Sequence, residues 1–211
     1  GFVPPGNTTT GVTESWNGSA WTEVADLNLN RVNVGTAGVS NTSALAIGGD
    51  DFTPPTRQRA VVESWNGSAW TEIADLNAAR INLAGFGTQT SALAFGGYDF
   101  DPNTTAETES WNGSSWTETG DLNTARFNFA GAGADNTAGI AFGGTPPITG
   151  KTEDWNGATW SEVGDMNAAR GDHSGDGTAT DALAFAGSPP IGGQTESWNV
   201  PSNVIRTITT S

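Results

Sequence analysis

Trp-Asn-Gly opens at Trp16, Trp65, Trp111 and Trp155, and an altered copy, Trp198-Asn199-Val200, follows, so that the copies stand 49, 46, 44 and 43 residues apart. Self-similarity at a period of about 40–50 residues marks stacked supersecondary units, each too small to bury its own apolar face. The aligned copies share an Arg, a Gly-rich stretch and a small apolar run ending in Gly-Gly. A variable loop follows, then Thr-Glu-Ser-Trp-Asn-Gly-Ser-x-Trp-Thr-Glu and Asp-Leu-Asn-x-x-Arg.

Each piece has a physical reading. Ser91-Ala92-Leu93-Ala94-Phe95 alternates small and large apolar residues with period two, which predicts a strand whose two faces pack against unequal spaces; Ser43 to Gly49, Ala138 to Gly144 and Ala182 to Gly187 are its equivalents. The Gly-rich stretch before it, Leu83-Ala84-Gly85-Phe86-Gly87, suits a strand crowded by neighbouring backbones. Asn-Gly between β-prone flanks predicts a hairpin with its two Trp close across the turn. Most of the 9 Trp are then architectural.

The order of these pieces resembles the kelch repeat. Gly48-Gly49, Gly96-Gly97 and Gly143-Gly144 match its double glycine, Trp21, Trp70, Trp116 and Trp160 its late tryptophan, and Arg31, Arg80, Arg126 and Arg170 its boundary arginine. The fourth copy departs, with Ala186-Gly187, and only Tyr98 supplies the aromatic the family often places after the glycines. The resemblance implies an all-β fold, a β-propeller of four-stranded blades. Near-identical copies also resemble the tandem arrays of phage and environmental bacteria, which points to a virion or extracellular surface location.

One repeat domain spans 1–211: outer strands of a partial first blade in 1–30, full repeats in 31–79, 80–125 and 126–169, and a last repeat with a C-terminal strand in 170–211. That makes about four and a half blades. Either the chain is part of a propeller of five to seven blades, or its N-terminal outer strands complete the blade begun by residues 170–187. The second arrangement leaves Gln194 to Ser211, with its strand-prone Val204 to Ile208, to pair with a neighbouring chain's edge, so self-assembly through terminal strands is an expected partnership. Closure of some kind is expected over an open, laterally stacked array.

A net charge of −15 and a pI near 4.1 argue against nucleic acid and anionic membranes as partners, and no apolar run is long enough for a spanning helix. With no Cys and one His, the chain has few means of nucleophilic, acid–base or transition-metal chemistry. No catalytic residue and no cofactor is read from it. His173 stands where other copies have Val34, Leu83 and Phe129, and reads as a substituted strand position. Glu14, Glu63, Glu109, Glu153 and Glu196, each two residues before a Trp, read as structural ion-pair partners of the repeated Arg, reaching across blades. Asp99, Asp101 and Asn103 space oxygen donors as the opening of a calcium loop does. They lack its turn Gly and terminal Glu, and read as a surface turn. The Asn17, Asn66 and Asn112 sequons are explained by turn chemistry, because Asn156-Gly157-Ala158 keeps the turn and loses the hydroxyl.

Three functions fit such a scaffold. The first is a structural or adhesive module displaying variable loops, such as Phe52 to Val61 and Thr145 to Lys151, to a protein or surface glycan. The second is a carbohydrate-binding propeller, which an exposed Trp would favour. The third, a sugar-processing enzyme, needs converging acids or a metal site that the sequence does not offer. The first is the expectation.

Overall fold

A computed structural model describes residues 10–54, 57–99, 104–188 and 194–199. Among them every regular element is a strand. A hairpin of β1 (Thr13–Trp16) and β2 (Trp21–Val24) comes first. Three four-stranded antiparallel sheets follow in chain order. Blade 1 contains β3 (Gly35–Ser40), β4 (Ser43–Ile47), β5 (Val62–Trp65) and β6 (Trp70–Glu72), and blade 2 contains β7 (Ala84–Thr88), β8 (Ser91–Phe95), β9 (Thr108–Trp111) and β10 (Trp116–Glu118). Blade 3 contains β11 (Ala130–Asp135), β12 (Ala138–Phe142), β13 (Thr152–Trp155) and β14 (Trp160–Glu162). Blade 4 contains β15 (Ser174–Gly177), β16 (Asp181–Phe185) and β17 (Thr195–Asn199).

The blades form a β-propeller-like arrangement. Their first strands stand side by side, β3 against β7, β7 against β11 and β11 against β15, around a channel of about 590 Å³ lined by Thr36, Gly87, Gly133, Asp176 and Thr178 among others. No packing of that extent joins β15 to β3 among the described residues. The blade begun by residues 170–187 is continued by its own chain, since β17 pairs with β16 from Phe185↔Thr195 to Asp181↔Asn199. The hairpin β1–β2 therefore does not complete it. The strand-prone Val204 to Ile208 lies outside the described residues.

Period-two alternation explains the core. Leu93 and Phe95 leave β8 on one face and pack on Ala141, Trp155 and Trp160 of the next blade, while Ala92 and Ala94 leave the opposite face and meet Leu45 and Ile47 of the preceding one. Ile140 and Phe142 repeat the pattern against Ala182, Ala184 and Trp198. The small residues make room for the blade's own tryptophans, as in the cross-strand pair Ala92↔Trp111.

The double glycine has a packing cause. Gly96 and Gly97 have φ of 59° and 113°, in the left-handed region that costs an L side chain about 1–2 kcal/mol. A Cβ on Gly96 would also lie 2.6 Å from Phe129 Cζ and 2.7 Å from Arg126 O of the next blade. A Cβ on Gly97 would lie 2.8 Å from Ile81 O of its own blade. The first glycine admits the neighbour and the second admits the blade's own entry loop. Ala186 takes the first position in blade 4 with φ 62°, and no following blade presses on it among the described residues.

Candidate functional site

The antiparallel strands of each blade send alternate connections to opposite ends of the molecule. One end carries the β3–β4, β7–β8, β11–β12 and β15–β16 turns together with the Asn-Gly hairpins. The other carries the loops between second and third strands and the linkers from blade to blade.

The first end is constant in chemistry. Asn66 Oδ1 accepts from the Ser68 and Ala69 backbone N–H groups at 2.9 and 3.0 Å, and Asn17 and Asn112 do the same. The loop is four residues long, flanked by Trp65↔Trp70 with ring centroids 5.4 Å apart. Asn156 keeps both bonds, to Ala158 N and Thr159 N at 3.0 Å, so the hairpin survives the loss of serine. Trp65, Trp111, Trp155 and Trp198 each donate their indole N–H to the first turn of their own blade, at Asn41 O, Gln89 O, Asn136 O and Ala179 O. From the same turns the Asn41, Gln89 and Asn136 side chains reach the preceding third strand, Asn136 Nδ2 donating to Ser110 Oγ and Trp111 O at 2.9 Å.

The second end is where the copies differ. In blade 1 its loop is braced by Arg57 on Asp50 at 2.6 Å and Arg59 on Asp51 at 2.7 Å, with the Arg57 guanidinium 4.3 Å from the Phe52 ring. In blade 2 Tyr98 lies at the loop base against Phe127, ring centroids 5.5 Å apart. In blade 3 the loop is Thr145-Pro146-Pro147-Ile148, with Ile148 exposed. Single bridges, Val32↔Asp50, Ile81↔Tyr98, Phe127↔Thr145 and Gly171↔Ser188, fix each loop to the strand entry of its own blade. Unlike side chains are thus held on one rigid rim.

Beneath that rim lie the repeated charges. Arg31, Arg80 and Arg126 pair with Glu63, Glu109 and Glu153 at 3.1, 2.9 and 3.1 Å, and Arg170 pairs with Glu196. Each pair sits inside one repeat rather than across blades. The reason is the path of the linker, which leaves the preceding blade and lays Asn-x-x-Arg over the third strand it is about to join. Asn77 donates both its backbone N–H and its amide to Glu109 Oε2 at 2.8 Å, and Asn28, Asn123 and Asn167 repeat this on Glu63, Glu153 and Glu196. Burial pulls the guanidinium of Arg80 below its ordinary value, and the Glu109 charge opposes it. The asparagine is a clamp that the repeated Leu-Asn-x-x-Arg carried openly.

Other candidates separate from this rim. His173 is buried against Phe142, centroids 5.7 Å apart, in the place that Phe129 holds in blade 3. Asp99 is at the rim, while Asp101 and Asn103 lie outside the described residues. Among the described residues no group of three or more His, Cys, Asp or Glu is placed to hold a metal ion. Among the described residues no helix is long and apolar enough to cross a membrane. Trp16 and Trp21 are exposed, unlike Trp65, Trp111, Trp116, Trp155 and Trp160, and Trp198 is half-buried. No protein-family model and no curated protein matches the chain.

Proposed function

We propose that this chain is a non-enzymatic structural or adhesive module of a virion or extracellular surface, which presents its variable loops from one rim of a kelch-like propeller. The observation that carries the reading is the division of the two ends: turns of one chemistry at one, loops of unlike chemistry at the other. A rigid scaffold with variable loops is how interaction sites are displayed without a catalytic apparatus. The kelch reading is supported by the double glycine and the late tryptophan, which pack blade on blade, and by the boundary arginine, whose side chain pairs inside its own repeat while its carbonyl accepts from the second glycine of the preceding blade. Among the described residues the channel lining offers one carboxylate, Asp176, among glycine, apolar and hydroxyl residues, a poor start for hydrolysis.

The exposed Trp16 and Trp21 pair, centroids 5.5 Å apart, favours a second reading as a carbohydrate-binding propeller. Binding of the labelled chain to bacterial cells and to a glycan array distinguishes the two. Replacing residues 52–56 and 146–148 by an Asn-Gly-Ser turn is expected to abolish cell binding with the fold intact. Undiminished binding by that variant overturns the loop reading, and array binding lost on Trp16→Ala and Trp21→Ala favours the second.

A further inference from the structure

Every junction inside the chain joins two unlike faces. A large apolar pair from the second strand, Leu45 and Ile47, Leu93 and Phe95, or Ile140 and Phe142, is covered by the next blade and is at most 3% exposed. Where that next blade has all four strands, its tryptophan pair is the cover; Phe95 meets Trp160 with ring centroids 4.8 Å apart. At one flank of the molecule Leu183 and Phe185 occupy the large positions of β16 and are 48% and 39% exposed. At the other, Trp16 and Trp21 occupy the tryptophan positions of β1–β2 and are 44% and 64% exposed. Each flank carries what the other lacks.

We propose that these flanks are the halves of one more junction, and that a second copy of this chain fills it, head to tail, with β1–β2 of one copy lying on β15–β17 of the next. Within one chain the hairpin is already committed on its other face: Trp70 Nε1 donates to Thr13 Oγ1 at 3.0 Å, and Asn41 Nδ2 to Ser15 Oγ at 3.2 Å. Its tryptophan face is therefore turned outward. Ala186 limits how much of a partner can enter. A Cβ at Gly48, Gly96 or Gly143 would lie 2.7 Å from the carbonyl oxygen of Arg80, Arg126 or Arg170, which opens the following blade. Ala186 carries that Cβ at the same φ, so an incoming blade cannot lay its arginine loop there. A hairpin docking by its tryptophan pair does not need that space. Because the faces are unlike, the contact is heterologous and propagates into a ring or filament rather than ending in a two-fold dimer.

Sedimentation velocity on the 211-residue chain tests this. The expected result is a weight-average mass that rises above 21.7 kDa with concentration. Phe185→Glu and Trp21→Glu each change an exposed residue, so both variants are expected to keep the wild-type melting curve and to associate at least about 10-fold more weakly. Their equimolar mixture restores one free head and one free tail, and is expected to give a dimer and nothing larger. A wild-type chain that stays at 21.7 kDa up to about 100 µM overturns the proposal. So does association that survives either substitution, or a mixture that stays monomeric while the wild type associates.

Discussion

Arg80 donates from Nη2 to Glu109 Oε1 at 2.9 Å with neither side chain more than 1% exposed. The carboxylate also accepts from the Asn77 backbone and amide, and a second guanidinium nitrogen meets Glu107 at 3.2 Å. Removing one partner leaves the other charge buried, so Glu109→Ala and Arg80→Ala should each cost about 3–5 kcal/mol in urea unfolding. The double substitution should cost less than the sum of the two, because the second removes a charge already orphaned. Additive losses would mean that the pair contributes no coupling.

Ala186 and Gly96 hold equivalent positions with φ of 62° and 59° but opposite surroundings. Gly96→Ala adds left-handed strain and a collision with Phe129 and Arg126, and should destabilise by about 3 kcal/mol or more. Ala186→Gly relieves strain of about 1–2 kcal/mol and adds chain entropy of about 0.5–1 kcal/mol to the unfolded state, so it should stabilise by between zero and about 1.5 kcal/mol. Thermal melts of the two variants decide it; changes equal in size and opposite in sign would show that φ alone governs the position.

His173 is neutral in the fold. Burial, followed by the nearby Arg170 charge, pushes its pKa down to about 4, against a weaker opposing pull from the Phe142 backbone. The unfolded chain protonates near 6.5, so it binds more protons than the native state between those values. Stability is complete above about pH 6.5 and falls as pH drops toward 4, by about 3 kcal/mol in the limit. His173→Phe restores the residue type of Phe129, and should remove this slope and raise stability at pH 5. A pH series of urea midpoints for both proteins checks it.

The repeat period, the Trp-Asn-Gly hairpin and the unequal faces of Ser91 to Phe95 were legible because each depends on neighbours in sequence. The pairing of Arg with Glu was legible as chemistry but not as geometry. It requires knowing that the linker crosses the third strand of its own new blade. Asn77 and its equivalents were visible as a repeated letter, yet their use depends on a carboxylate some 30 residues onward. The reason for Ala186 was least accessible, since it lies in the carbonyl of a residue that blade 4 does not meet.

Glu196 differs from Glu109 in where its clamp is exposed, since its side chain is 17% accessible. Partial burial would raise its pKa, but the Asn167 N–H, the Asn167 amide, the Ala168 N–H and the Arg170 charge together hold it below the ordinary glutamate value of 4.5. A depressed carboxylate stabilises the fold above its unfolded pKa, and that contribution is lost as pH falls through the folded value. Blade 4 should therefore loosen below about pH 4.5 before blades 2 and 3, which are packed on both faces. Hydrogen exchange at pH 3–6 should show β16 and β17 losing protection first. In Glu196→Gln the blade should be less protected at pH 6 and should lose on further acidification only what His173 imposes, so that Glu196→Gln with His173→Phe is nearly insensitive, whereas uniform loss across all blades would place the acid weakness elsewhere.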